Sequence, residues 1–176
     1  MRYAMALLFF VALGTEAQWT RPGATEPSSD SASRKHANGT GAMLTLTGNP
    51  EAFLEEWHST AHEHVPRLIS ASTVRRGGAI FALVFFAGCA EEGKPCGATI
   101  DFKVLGPDGS TYAEHTGMSA WRHASPHPQT VMLSPGYLKV TIEPEDSFGK
   151  YLVHATFRAP ASQAELLLSE TFEVVP

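Results

Sequence analysis

The stretch "AIFALVFFAGCAEEGKPCGATIDFKVLGPDG", residues 79–109, decides the fold class. Its opening, "AIFALVFFAG", is a continuous apolar run, the pattern of a strand buried on both faces or lying at the centre of a sandwich. "TIDFKVLG" then alternates, with Ile100, Phe102 and Val104 on one side and Asp101 and Lys103 on the other. "PDG" is a turn with a mechanism: Pro fixes φ, Asp tolerates the bend and Gly supplies a positive φ.

The chain's two cysteines sit between these strands, Cys89 at the end of the first and Cys96 just before the second. "AEEGKP" between them holds the Gly and Pro of a turn. A disulfide needs α-carbons roughly 5.5 Å apart, which chains meeting across a hairpin mouth satisfy. The rival readings fit less well, since redox pairs usually enclose two residues and two thiolates alone make an incomplete zinc site. The spacing predicts a structural bridge formed in an oxidising compartment, worth about 2–3 kcal/mol on the chain-entropy model.

Towards the C-terminus the strand pattern continues through "STYAE" and "QTVMLS". In "YLKVTIEP", Leu138, Val140 and Ile142 point inward, and in "KYLVHATFRA" so do Tyr151, Val153, Ala155 and Phe157, leaving His154 on the opposite face. "LLLSETFEVV" closes the chain. Seven to eight short strands separated by turn signals predict an all-β sandwich. Towards the N-terminus, "MLTLTG" reads as a strand. "NPEAFLEEWH" then has a helix start, with Asn49 as cap and Pro50 at the first position. Phe53, Leu54 and Trp57 give it one apolar face to lay on a sheet, so a short helix is expected near 50–58.

Residues 1–17 read as an export signal: Arg2, the apolar "YAMALLFFVALG", and small residues before a cut after Ala17. The run is well short of the ~20 apolar residues of a bilayer span, so no membrane insertion of the mature chain is expected. Residues 18–42 are rich in Ser, Thr, Gly, Ala and Pro and read as a disordered leader, with the domain at 43–176. "NGT" at 38–40 matches an N-glycosylation acceptor centred on Asn38, meaningful only in a eukaryotic secretory route. The 176 residues suit one domain. Thirteen basic against 18 acidic residues give a formal charge of −5, and no basic cluster occurs, which speaks against a nucleic-acid partner.

"EPEDSFGKYLVHA" resembles the strand-turn-strand passage of immunoglobulin-like and macroglobulin-like domains. Gly149 and Tyr151 match its pattern, with Asp146 one residue further from the Tyr than the immunoglobulin spacing. "VFFAGC", "DFKVLGPDGS", "YLKVTIEPEDSFGKY" and the terminal "FEV" resemble small exported bacterial proteins of unknown function, over roughly residues 48–175. The resemblance implies a periplasmic or secreted β-sandwich and supplies no catalytic residue.

Little else offers chemistry. There is no G-x-S-x-G elbow, no phosphate loop and no dinucleotide fingerprint. The paired carboxylates Glu55–Glu56, Glu91–Glu92 and Glu143 with Glu145 and Asp146 lie where acids are ordinarily solvated. The metal candidates are His58, His62 and His64. The first two are i, i+4 partners on a helix long enough to hold both, with Glu63 beside them and a third nitrogen in the next turn suiting Zn²⁺ or Cu²⁺. His115, His123 and His127 lie in "AEHTGMSAWRHASPHP", read as one end of the sandwich. The bland reading, solvated residues beside a helix terminus, fits Pro66, Pro126 and Pro128 nearby. Trp121 with His123 is a candidate binding surface, against the alternative that Trp121 plugs the core.

The expectation is therefore an immunoglobulin-like β-sandwich acting as an exported, non-catalytic binding or interaction module of the bacterial cell envelope, with a protein or envelope partner and no cofactor. The alternative is a periplasmic zinc- or copper-binding protein using the histidine cluster.

Overall fold

The computed structural model of the chain describes residues 29–61 and 66–176. The expected signal peptide, most of the leader, and His62, Glu63 and His64 lie outside the described residues. The elements are β1 (Arg34–Ala37), β2 (Thr40–Thr47), α1 (Pro50–Ser59), β3 (Thr73–Arg75), β4 (Ala79–Ala87), β5 (Ala98–Leu105), β6 (Thr111–Trp121), β7 (Met132–Leu133), β8 (Leu138–Thr141), β9 (Gly149–Ala159), a 3₁₀ turn (Pro160–Ser162) and β10 (Ala164–Val175).

Two five-stranded sheets face each other. One runs β1-β2-β4, with β7 and β8 both pairing β4; the other runs β3-β10-β9-β5-β6. Neighbours are antiparallel except β3, which runs parallel to β10. The chain passes from β4 in the first sheet to β5 and β6 in the second, returns to β7 and β8, and crosses again to β9 and β10. These crossings between sheets make the fold an immunoglobulin-like sandwich.

The sandwich core follows from the alternation. Ile100, Phe102 and Val104 of β5, Leu138 and Val140 of β8 with Ile142 beyond it, and Tyr151, Val153, Ala155 and Phe157 of β9 are all buried. Phe86 and Phe157 stack across the two sheets at 5.2 Å between centroids. Strand β4 supplies both of its faces. Ile80, Ala82, Val84 and Phe86 enter the sandwich core, while Leu83 and Phe85 enter a second cluster on the sheet's outer side. α1 covers that side, placing Phe53 and Trp57 at 5.9 and 5.0 Å from the Phe85 ring. The Asn49 side chain caps the helix by accepting from the Ala52 amide.

The structure corrects three sequence expectations. Order begins before residue 43: β1 and the first residues of β2 fall inside the stretch read as a leader. Asn38 and Gly39 both have positive φ, 51° and 74°, and make the two-residue turn of a β1–β2 hairpin. The described residues hold ten strands rather than seven to eight, because β1, β3 and β7 are too short or too polar to leave an alternating pattern. "AEHTGMSAW", read as part of one end of the sandwich, is strand: it carries β6 on from "STYAE" as far as Trp121. Gly117, at φ 67°, lets that strand run on through a bulge where the hydrophobic alternation breaks.

The passage around Tyr151 has tyrosine-corner geometry, with its hydroxyl donating to Ser147 O at 3.0 Å. The Asp146 offset in the sequence reflects a different task for that carboxylate. It accepts the Glu143 amide at 2.7 Å and receives the Tyr112 hydroxyl.

Candidate functional site

Four connections gather at one end of the sandwich: the Asn38–Gly39 turn, the loop from Gly88 to Gly97, the segment from Arg122 to Val131, and the 3₁₀ turn at Pro160–Ser162. They are laced by side chains. Thr40, fully buried, donates its hydroxyl to Gly88 O at 2.8 Å and lies 2.6 Å from Ser162 Oγ. Asn38 Nδ2 donates to Gln163 O at 2.9 Å. The acceptor-type motif "NGT" is therefore committed to the fold on both its polar side chains.

The two longest of these loops form a single platform. Cys89 and Cys96 are joined in a disulfide with α-carbons 5.5 Å apart, and both are buried. The loop they close pairs with the second segment through Gly93 N to Ser125 O (2.9 Å), Ser125 N to Lys94 O (2.8 Å) and Cys96 N to His123 O (3.3 Å). An isolated bridge joins Pro95 to Ala124. Ser125 sits at the centre, buried, with its hydroxyl 3.1 Å from Ala90 O and 3.7 Å from Cys89 Sγ. The buried Ser125 hydroxyl and the paired amides and carbonyls named above have partners, which is what holds irregular backbone in one shape.

Trp121 closes the platform onto the core. Its ring is partly buried, 6.0 Å from Phe86, and its indole N–H donates to Ala124 O at 3.1 Å. It acts as a plug, with His123 edge-on against it at 5.4 Å. Arg122 Nε donates to Ser119 Oγ at 3.0 Å. Glu91, Glu92, Lys94, Arg122, His123 and His127 stand exposed on the platform. Exposed charged and imidazole groups on a braced surface can make hydrogen bonds and ion pairs to a partner without first losing backbone freedom.

The candidate metal residues fare differently. α1 ends at Ser59, one residue after His58, and the Thr60 hydroxyl and amide both donate back to Glu56 O. His58 is exposed; His62 and His64 lie outside the described residues. His115 is exposed at mid-β6, away from His123 and His127 at the strand's far end. Among the described residues no three His, Cys, Asp or Glu side chains are grouped to hold a metal ion. No helix of the described residues is long and apolar enough to cross a membrane.

The other sheet's outer face, unlike that beneath α1, carries polar cross-strand groups. Asp101 of β5, Arg158 of β9 and Glu165 of β10 form an ion-paired chain across three strands, and His154 Nδ1 lies 2.9 Å from Ser169 Oγ. The Gly117 amide, first, and the Arg158 guanidinium, second, hold the Asp101 carboxyl below its ordinary value.

No family model matches the chain, and no curated protein matches it. Several solved structures are similar to parts of the chain at low identity. A Pseudomonas fluorescens alkylpurine DNA glycosylase bound to DNA is 13% identical at a TM-score of 0.39 over 60% of this chain, which spans only 28% of that protein's length. The CARDB domain of a Pyrococcus furiosus protein in complex with di-metal ions is 14% identical at a TM-score of 0.40, covering 76% of this chain and 87% of that one. A Niemann-Pick type C2 protein from Japanese carpenter ant is 6% identical at a TM-score of 0.41, covering 75% and 89%.

Proposed function

We propose that the chain is an exported, non-catalytic binding module of the bacterial cell envelope, recognising a protein or envelope partner through the disulfide-braced loop platform. The observation that carries this reading is the lacing of two irregular loops around Ser125 and the Cys89–Cys96 bridge. That bracing presents polar side chains that make no contribution to the core. Loops fixed on a rigid sandwich are a common place for recognition. Export fits the disulfide, since such bridges persist in oxidising compartments.

The test compares the wild-type chain with a variant carrying Glu91→Ala, Glu92→Ala, Arg122→Ala and His123→Ala, each immobilised and exposed to native envelope extract. The proposal expects a saturable partner retained by the wild type and lost from the variant, with both melting cooperatively. Equal retention by both proteins would remove the platform from the account.

A further inference from the structure

Among the described residues two non-glycine residues have positive φ, Asn38 at 51° and Gln163 at 55°. A left-handed backbone outside glycine persists only where its surroundings hold it. Here the two residues hold each other. Asn38, in the turn between β1 and β2, donates its side-chain amide to the Gln163 carbonyl at 2.9 Å. Gln163 ends the 3₁₀ turn between β9 and β10, so the bond clasps a hairpin of one sheet to a hairpin of the other. The Thr40 and Ser162 hydroxyl oxygens, 2.6 Å apart, make a second tie beside it.

The residue after Asn38 is glycine. The sequence contains two asparagines, one followed by Gly39 and the other by Pro50. Asparagine is chemically labile because the next residue's amide nitrogen can attack its side chain. Pro50 has no N–H to lose, so Asn49 is protected. Gly39 gives Asn38 no such protection. Its amide donates to no group among the described residues, and the space where a Cβ would stand is empty. Asn38 itself is exposed.

We infer that Asn38 is a self-modification site whose rate is set by the Asn38–Gln163 clasp. Hydroxide takes the Gly39 amide proton and the nitrogen attacks Asn38 Cγ. The Cγ–Nδ2 bond breaks, ammonia leaves, and a cyclic imide remains. Water opens the imide at either carbonyl, giving an aspartate in the ordinary chain or one linked through its side chain. The sum is amide plus water to carboxylic acid plus ammonia. Turning Cγ onto the Gly39 nitrogen means giving up the bond to Gln163, so attack waits on local opening of the hairpin. After conversion the clasp does not re-form, because a carboxylate only accepts and would face the Gln163 carbonyl, another acceptor. The β1–β2 hairpin is then released from the second sheet, irreversibly. This inference does not depend on what the loop platform binds.

The experiment incubates the full chain at mildly alkaline pH, well below its melting temperature, and follows acid formation by peptide mapping. Asn49 is the internal standard, and the same chain in urea gives the unfolded rate. Acid is expected at Asn38 and not at Asn49, forming severalfold more slowly in native than in unfolded protein. Ser162→Ala removes the neighbouring tie and leaves Asn38 and Gly39 untouched. It is expected to speed the native conversion severalfold and the unfolded one not at all. The converted fraction, separated by its added negative charge, should exchange backbone hydrogens in residues 34–43 faster than the unconverted one. Asn38→Asp should show the same faster exchange without any incubation. An Asn38 that stays an amide in native protein while the unfolded chain converts fully overturns the inference. So do equal native and unfolded rates, a native rate that Ser162→Ala leaves unchanged, or hairpin exchange that neither conversion nor Asn38→Asp alters.

Discussion

The hydroxyl of Tyr112, on the edge strand β6, lies 2.5 Å from Asp146 Oδ2, and Thr141 O stands 2.8 Å away on the other side. The contact ties the outermost strand of one sheet to the end of β8 in the other and to the turn before β9. Burial first, and then the Asp146 carboxylate, push the Tyr112 hydroxyl well above its ordinary value. Tyr151 shifts in the same direction, chiefly by burial.

A group with a raised folded-state pKa stabilises fully below its unfolded value and loses that contribution as pH climbs towards the folded one. Stability is therefore expected to fall as pH rises above about 10, the ordinary tyrosine value. Tyr112→Phe should fall less steeply there, while costing about 1.5–3 kcal/mol near neutrality for a hydrogen bond to a charged group. Urea titrations of both proteins at several pH values measure the two slopes, and parallel slopes would contradict the assignment.

The Cys89–Cys96 bridge closes a short loop, so replacing both by Ala should cost about 2–3 kcal/mol on the chain-entropy model. Both sulfurs are buried, so reductant should open the bridge in native protein only slowly compared with unfolded protein. Non-reducing peptide mapping checks the linkage, and alkylation time courses check the protection.

Phe53 is 1% exposed beneath α1, against Phe85 and Leu83. Truncating such a ring leaves a cavity, and Phe53→Ala is expected to cost about 3–5 kcal/mol. Thermal or urea denaturation measures it. A loss below about 1 kcal/mol, the size of an ordinary surface change, would mean that the helix does not seal the sheet.

Replacing His58, His62 and His64 together by Asn should leave stability within about 0.5 kcal/mol per site. Zinc or copper should raise the melting temperature of the wild type no more than that of the variant. A metal held a hundredfold above its Kd would stabilise the native chain by about 2.7 kcal/mol. A shift of that size confined to the wild type would move the metal-binding reading to first place.

The parts of the fold legible in the sequence were those written in hydrophobic period. β5, β8 and β9 alternate because each has one face on the core. β4 reads as an unbroken apolar run because α1 covers the face that is otherwise wet. What escaped was carried by backbone conformation and long-range polar contacts. The Asn38–Gly39 pair is a strong hairpin signal, yet β1 is a polar edge strand, and composition alone made the region look like a leader. Only the start of β6 was legible, as "STYAE"; the rest hid because its bulge at Gly117 breaks the alternation. The candidate site was half legible: Trp121, His123 and the cysteines stood out by type, whereas Ser125 gave no signal. Its role depends on Ala90 and Lys94, which the fold brings to it from more than thirty residues away.

Site-specific photo-crosslinking in the native envelope tests the recognition platform most directly. A crosslinking side chain is placed at Glu92 or His123 on the platform, at Lys103 on the open sheet face, or at Asp108 in the turn at the opposite end. The account predicts that the two platform positions capture the same envelope component, while Lys103 and Asp108 do not. Capture of that component equally from all four positions, or from Lys103 alone, would contradict it.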